Sequence, residues 1–372
     1  MILAGHYGQV WHTPFRSLLI LFIYLRYSMK LAETSNLGYR EGMRCAYHMD
    51  KDTLALHQFK ISTFNLFNYL SPPGAYYDFE NIYSTEQWHA KQRWTSEQIT
   101  LSDADIVGFQ EIFSPAQLQA QLAELGYMYF AVVDEPKIEN DYIYSDPIVG
   151  IASRYPIVSA NPVVGDRLAS EELGFEFSRA PLHAVIELPV VGKVDVFVVH
   201  FKSQRPKPLS IDNTQLLEIE RWRSTMQRGL EARFLGACMA ERKYQMGYPQ
   251  ILLGDFNREL NSAEFSSLTC NVPLQDSLGH PNMTSLSNAY LQDAKQLLPA
   301  PILPTPTHYY GAKGSVLDYV LLSHEFDYNS ASCLYEVTEY SVSDSHLINP
   351  IYAIDRMASD HAVVTITLTQ KQ

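Results

Sequence analysis

A recurring pairing constrains this chain more than any other feature. Short apolar segments end in, or abut, a carboxylate, an amide or an imidazole. Residues 59–66 (FKISTFNL) read as a strand carrying Asn65 near its end, and 105–110 (DIVGFQ) as a buried strand leading to Gln110 and Glu111. Residues 194–201 (VDVFVVHF) are apolar on both faces except Asp195 and His200, which suits a covered central strand. Residues 251–256 (ILLGDF) bring Asp255 and then Asn257, and 316–323 (VLDYVLLS) are interrupted by Asp318. Asp360 and His361 precede a last segment in which Ala362, Val364, Ile366 and Leu368 alternate with Val363, Thr365, Thr367 and Thr369, predicting a half-buried strand. A strand end is rigid and opens onto loops, so several such ends can converge on one cleft.

Helical patterns lie between these strands. Residues 86–101 predict a helix carrying Trp88 and Trp94, and Ser114 is a candidate cap for a second helix ending near Leu125. Leu216, Ile219, Met226, Leu230 and Phe234 fall at helical spacings on a long third helix, with Asp212 as candidate N-cap. Pro299, Pro301, Pro304 and Pro306 make 299–306 a loop. Without an internal repeat or a clean linker after residue 59, the pattern predicts one domain of sheets covered by helices.

Composition narrows the function. With 46% hydrophobic and 19% charged residues, the 372-residue chain can build a substantial core and does not resemble a disordered protein. Its net charge of −13 argues against a broad basic surface for nucleic acid, though not against an enzyme whose divalent cations supply positive charge. Cys45, Cys238, Cys270 and Cys333 form no CxxC and no zinc-like spacing, so reduced thiols and no structural zinc are expected.

The start of the chain reads differently. Residues 18–25 (LLILFIYL) are apolar but too few to span a bilayer, which takes roughly 20, and no small-x-small cleavage site precedes Tyr27. Met29, Met43 and Met49 are alternative starts. The expectation is an N-terminal extension over 1–50, disordered or a mis-called start, followed by a catalytic domain over 51–372. The cytoplasm is the favoured compartment, with secretion or membrane association only if 1–28 is a genuine targeting segment.

Taken singly, each polar residue has an ordinary explanation: an Asp after a strand is usually a turn former, and a His in a strand is usually a hydrogen-bonded core residue. Taken together, hard oxygen donors with two histidines suit Mg²⁺ and phosphate chemistry better than zinc.

The set and its order also resemble the endonuclease/exonuclease/phosphatase superfamily, which includes deoxyribonuclease I. The blocks that carry the likeness are FNLFNYL with Asn65, DIVGFQEIF with Gln110 and Glu111, GIASRYPI at 150–157, and VVHFKS with His200. ILLGDFN at 251–257, VLDYVLLS with Asp318, and ASDHAVV with Asp360 and His361 complete them, so that the likeness covers about 59–370. It implies an α+β fold, a four-layer αββα sandwich of two mixed β-sheets flanked by helices. By the same resemblance, Asn65, Glu111 and Asp360 form the metal site, taking Mg²⁺ with Mn²⁺ as a substitute. Asp318 orients His361, Asp255 and Asn257 position the nucleophile and a phosphate oxygen, and His200 binds phosphate or assists the leaving oxygen. Either His361 or Asp255 is the general base.

Substrate-contacting residues are less defined. Tyr144 lies on a loop where the family often places a polar substrate contact. Arg154 fits a structural role as well as the cleft edge, and Arg179 fits a phosphate contact as well as a surface ion pair. Ser343–His346 imitates the SDH block without a following strand and reads as a decoy, while His308 and Lys313 read as solvated loop residues. The Trp that abasic-site endonucleases carry ahead of the LDY block is replaced by Ser315-Val316, and the Cys-Asp-Arg block of inositol polyphosphate 5-phosphatases by Leu317-Asp318-Tyr319. Tyr76, Tyr77 and Phe79 make an aromatic loop, but no secreted membrane hairpin of the sphingomyelin-hydrolase kind is evident. The expected function is a Mg²⁺-dependent phosphodiesterase acting by in-line attack of water, with DNA or RNA the leading substrate and a monomeric state. The alternative is a phosphatase or phosphodiesterase for a small or lipid phosphoester. A non-catalytic binding protein on the same fold is the third reading.

Overall fold

The computed structural model describes residues 57–165, 167–204, 214–269 and 290–371. The expectations for 1–50, for Asp212 and for Cys45 and Cys270 fall outside these residues.

Among the described residues, twelve strands build the two large sheets. In chain order they are β1 (Gln58–Tyr69), β2 (Ile106–Ile112), β3 (Tyr129–Val132), β4 (Ile148–Ser153), β5 (Ile157–Pro162) and β6 (Leu182–Leu188). They continue with β7 (Gly192–His200), β8 (Gln250–Asp255), β9 (Gln292–Asp293), β10 (Asp318–Leu322), β11 (Tyr335–Ser343) and β12 (Val363–Gln370). One sheet runs β11-β12-β1-β2-β4-β3 and the other β9-β10-β8-β7-β6-β5. Both are mixed, with parallel pairs β1–β2 and β7–β8 at their centres. Helices α1 (Thr85–Ser102) and α2 (Pro115–Glu124) cover the first sheet, and the long α4 (Thr214–Met246) covers the second; the short α3 spans Arg167–Leu173.

Three apolar layers hold this together. Between the sheets, Ile61, Ile151, Val196, Leu253, Val320 and Ile366 are fully buried. Outside the first sheet, Trp88, Trp94, Ile99, Leu118 and Leu122 pack on Val107 and Phe109. Outside the second, Ala232, Leu235 and Met239 pack on Phe197, Val199 and Leu252. The result is the expected four-layer αββα sandwich. No helix among the described residues is long and apolar enough to cross a membrane.

Three local expectations need correction. Ser114 occupies the cap position of α2, but its hydroxyl accepts from the backbone N–H of Ser71 at 2.9 Å instead of closing its own helix. The last strand is buried on both faces: Thr365, Thr367 and Thr369 are 8%, 4% and 5% exposed. Their hydroxyls reach neighbouring strands, Thr365 meeting Ser62 at 2.7 Å and Thr369 meeting Thr338 at 2.8 Å, so they need no water.

The third correction concerns α4. Its expected apolar stripe is largely outside, with Leu216 39%, Ile219 49% and Met226 65% exposed. The buried face instead includes Arg228 and Glu231, at 0% and 1% exposure. They face backbone groups that need partners. Glu231 accepts from Ser178 N–H at 2.9 Å and from Lys202 N–H at 2.8 Å. Arg228 donates to the Lys202 carbonyl at 2.7 Å and pairs with Glu264.

Candidate functional site

Strand register gathers the polar residues. Asn65 lies opposite Gln110 in the parallel β1–β2 pair, immediately before Glu111. In the other sheet, His200 lies opposite Asp255, and Asp255 opposite Asp318. His361 leads into β12, and its backbone N–H donates to the Ser359 hydroxyl, which donates in turn to the Asn65 carbonyl at 2.6 Å. One end of the sandwich therefore brings together Asn65, Glu111, His200, Asp255, Asn257, Asp318, Asp360 and His361.

Asp255 is the hub. Its Oδ1 accepts from Asn257 N–H at 2.7 Å, and its Oδ2 accepts from Asn65 Nδ2 at 3.0 Å. His200 Nε2 stands 3.5 Å from Oδ2 and His361 Nε2 3.8 Å from it. Positive φ at Asn257 (53°) lets the chain turn back so that its amide also reaches the Phe201 carbonyl at 3.0 Å. Glu111 shares that conformation (φ 60°), and Asn68 N–H donates to its Oε2 at 3.0 Å.

The charge states diverge. Burial lowers the pKa of His361, but Asp318 Oδ2, 2.8 Å from Nδ1, together with Asp255, more than offsets this and holds the imidazole well above its ordinary range. Burial drives His200 the other way, well below its ordinary range, with the Arg179 and His361 cations adding to the shift. Burial pushes the Asp255 carboxyl up to about 7 against the pull of His361. Glu111 is raised by burial and by the Asp360 charge, with His361 and Arg179 opposing. A protonated and a neutral imidazole thus flank one carboxylate, an arrangement able to donate and accept protons at a single locus.

A divalent cation fits the acidic side of this cleft. Asp360 Oδ1 is buried without a hydrogen-bond partner, and the Asp360 and Glu111 charges repel one another. Hard oxygens under mutual repulsion are what a cation such as Mg²⁺ relieves. His308, in a short strand (His308–Tyr310), brings Nε2 to 3.9 Å from Asp360 Oδ2, and its ring centroid lies 4.9 Å from that of His361. His308, Asp360 and His361 are thereby grouped closely enough to share an ion.

The less defined residues separate. Arg179 reaches the His200 carbonyl at 3.4 Å, and its Nε is buried without a partner, which places it in the cleft. Tyr144 packs edge-on against Phe113, two residues beyond Glu111, with centroids 5.9 Å apart. Arg154 sits at the other end of β2, paired with Asp103 at 3.0 Å and Asp105 at 3.4 Å. Asp195, the buried acid of β7, is likewise remote, held by His183 at 2.8 Å and by Arg242.

Sequence reasoning missed several supports. Thr307 Oγ1 accepts from the backbone N–H groups of Leu317 and Asp318, and nothing in its surroundings marks it. His346, within the apparent SDH decoy, lies on a short helix (Ser345–Ile348), where its Nε2 meets the His361 carbonyl at 3.1 Å and its ring packs against Trp94. Lys91, 1% exposed, has its Nζ 5.6 Å from the Phe67 ring centroid. Its sequence signal was visible, a lysine three residues from each of Trp88 and Trp94 and so on their helix face.

Glu231 and Arg228 tie the segments after β7 and before Arg179 to α4, which makes them positioning residues. Glu231→Gln keeps one acceptor and leaves a backbone N–H facing an amide, a defect of about 1–3 kcal/mol. The expected outcome is a lower Tm together with a kcat reduced about tenfold at unchanged pH dependence, measured on the purified variant.

The comparisons with known proteins agree with the fold. The chain is similar in fold to the human Nocturnin catalytic domain with bound sulfate anion, at 16% identity and TM-score 0.54 over 84% of this chain and 95% of that one. It is similar to truncated Caenorhabditis elegans TDP2 at 12% identity and TM-score 0.52, over 84% and 97% of the two chains. It is also similar to ANGEL2, a 2′,3′-cyclic phosphatase solved with adenosine-2′,3′-vanadate, at 14% identity and TM-score 0.52, over 86% and 97%. No curated protein sequence gives a significant match. Residues 63–361 match the Endonuclease/Exonuclease/phosphatase family, and the chain belongs to that family.

Proposed function

We propose that this member of a family of phosphoester hydrolases is a Mg²⁺-dependent phosphodiesterase, with Mn²⁺ as a substitute and nucleic acid as its substrate. The observation that carries the reading is Asp255, a buried carboxylate with His200 Nε2 at 3.5 Å and His361 Nε2 at 3.8 Å from its Oδ2, near the carboxylates of Asp318 and Glu111.

Asn65, Glu111 and Asp360 would hold a divalent cation, which when bound would supply Lewis-acid stabilisation of the charge developing on phosphate oxygens. The chain's own groups do the rest. Asp318 fixes the orientation of the His361 ring and keeps it charged, so Nε2–H donates to a non-bridging oxygen. That leaves Asp255, once ionised, as the acceptor for the proton of the attacking water, with Asn257 holding its carboxylate in place. His200, uncharged in the buried cleft, donates one hydrogen bond toward phosphate or the leaving oxygen, and Arg179 adds a fixed positive charge beside it.

A small or lipid phosphoester is the second reading, favoured by the net charge of −13, which gives a long nucleic acid little to hold. One panel separates the two. Plasmid DNA, single-stranded RNA, bis-p-nitrophenyl phosphate, p-nitrophenyl phosphate and sphingomyelin are each incubated with EDTA, Mg²⁺ or Mn²⁺. Cleavage of nucleic acid and the synthetic diester, lost in EDTA and restored by Mg²⁺, is the expected result. Turnover confined to the monoester or the lipid selects the second reading, and silence with every metal overturns both.

A further inference from the structure

Beside the catalytic cleft lies a cavity of about 320 Å³ that the phosphodiesterase chemistry does not use. Its wall includes Phe67, Tyr76, Tyr83, Lys91, Arg356 and Met357. It borders the site closely: Phe67 follows Asn65 by two residues in β1, and Ala358, also on the wall, precedes Asp360 by two. The volume falls within the ~300–1,000 Å³ typical of small-ligand pockets.

Its chemistry differs from that of the rest of this acidic chain. Lys91 and Arg356 bring two cations to the wall, against the single acid Glu80. Lys91 is 1% exposed, with its ammonium 5.6 Å from the Phe67 centroid and 5.8 Å from the Tyr83 centroid. Burying an ammonium is costly, aromatic faces return only part of that cost, and the Glu111 and Asp360 charges offset a further part from the neighbouring site. Arg356, by contrast, is exposed on the same wall. The Glu111 and Asp360 charges also act on Lys91, which shows how near the cavity lies to the proposed metal site.

We infer that this cavity is an anion subsite, in which Lys91 and Arg356 hold a phosphomonoester group that the substrate carries next to the phosphoester being cleaved. The aromatic walls exclude water from the Lys91 part of that contact and strengthen it. The inference rests on the proposed phosphoesterase chemistry and sharpens it. The favoured substrates are those with two phosphate groups a short distance apart, such as the phosphorylated end of a nucleic acid or a small bisphosphate, rather than the interior of a long chain. It also answers the charge problem, since recognition of one local phosphate needs no basic surface.

Two measurements on the full-length protein test it. The first is binding of inorganic phosphate in EDTA, followed by titration calorimetry. Lys91→Met preserves length and apolar packing, and Arg356→Gln changes an exposed side chain; thermal melts check both. Phosphate affinity is expected to fall at least tenfold in Lys91→Met and severalfold in Arg356→Gln. Wild-type affinity in both folded variants overturns the subsite. The second is the ratio of kcat/KM with Mg²⁺ for a thymidine dinucleotide with and without a terminal phosphate, and for a hexose bisphosphate over the monophosphate. At least one ratio is expected to be tenfold or more in the wild type and to approach one in Lys91→Met, and the pair that shows it identifies the source of the phosphate. Ratios near one in the wild type overturn the inference. If no ester is cleaved with any metal, the hydrolase reading fails, while Lys91-dependent phosphate binding stands on its own.

Discussion

Replacing His361 with alanine, or Asp255 with asparagine, is expected to lower kcat by roughly 10²–10⁴-fold while leaving the thermal melt cooperative. The two losses have different causes. Without His361, Asp318 stays buried at 0% exposure with its imidazole partner gone, and the positive charge beside the phosphate disappears. Without the Asp255 carboxylate, the site lacks an effective base, since His361 already carries a proton and burial makes His200 a weak one. Their pH profiles follow from the same shifts. Asp255 must ionise to accept a proton, and burial has raised it to about 7, so wild-type activity should climb through neutrality. His361 must stay charged, and the Asp318 and Asp255 carboxylates hold it well above its ordinary range, so the falling limb should lie well above the pH at which a free imidazole loses its proton. Residual activity in Asp255→Asn should lack the climb. Wild-type turnover in either folded variant would refute the assignment.

The cleft was legible in the sequence because its residues sit at the ends of apolar strands, and strand register then leaves little freedom. Once β7 and β8 run parallel, His200 and Asp255 must face one another, and the antiparallel β8–β10 pair sets Asp318 beside them. The helices were harder to read. On α4, periodicity alone assigned Leu216, Ile219 and Met226 to the core, whereas these are exposed and the buried face carries Arg228 and Glu231 beside Phe234, Leu235 and Met239. A charged residue earns such a place only through the backbone groups it satisfies, here at Ser178 and Lys202, and those groups come from distant loops that no local pattern reveals. Arg154 and Arg179 show the same limit. Each follows a serine and adjoins a strand, yet one pairs at the far end of β2 while the other enters the cleft, a difference decided by acids 49 and 51 residues away for the first. Lys91 broke the local rule in plain view, and a charge on an aromatic helix face is the kind of inconsistency that marks a functional surface.

The strand geometry that makes the site readable also makes it fragile at Gly254, which yields the largest stability prediction. Gly254 lies opposite Val199, one residue before the His200–Asp255 pair, with φ of 146°. A Cβ there would sit 2.0 Å from the Val199 carbonyl oxygen and 2.9 Å from its carbon. These are backbone atoms in the centre of a sheet, so no rotamer change relieves the overlap, and β7 must move away from β8. Gly254→Ala is therefore expected to cost at least ~3 kcal/mol, to lower Tm by several degrees and to abolish turnover as His200 parts from Asp255. Gly126→Ala supplies the control. Its φ is also positive, at 89°, but no atom lies within 4 Å of the new methyl, so the cost is the backbone preference alone, about 1–2 kcal/mol, with activity retained. Parallel melts and kinetics of the two variants decide whether close approach of β7 and β8, rather than glycine's backbone freedom, sets the spacing on which the site depends. Equal losses in both would show that it does not.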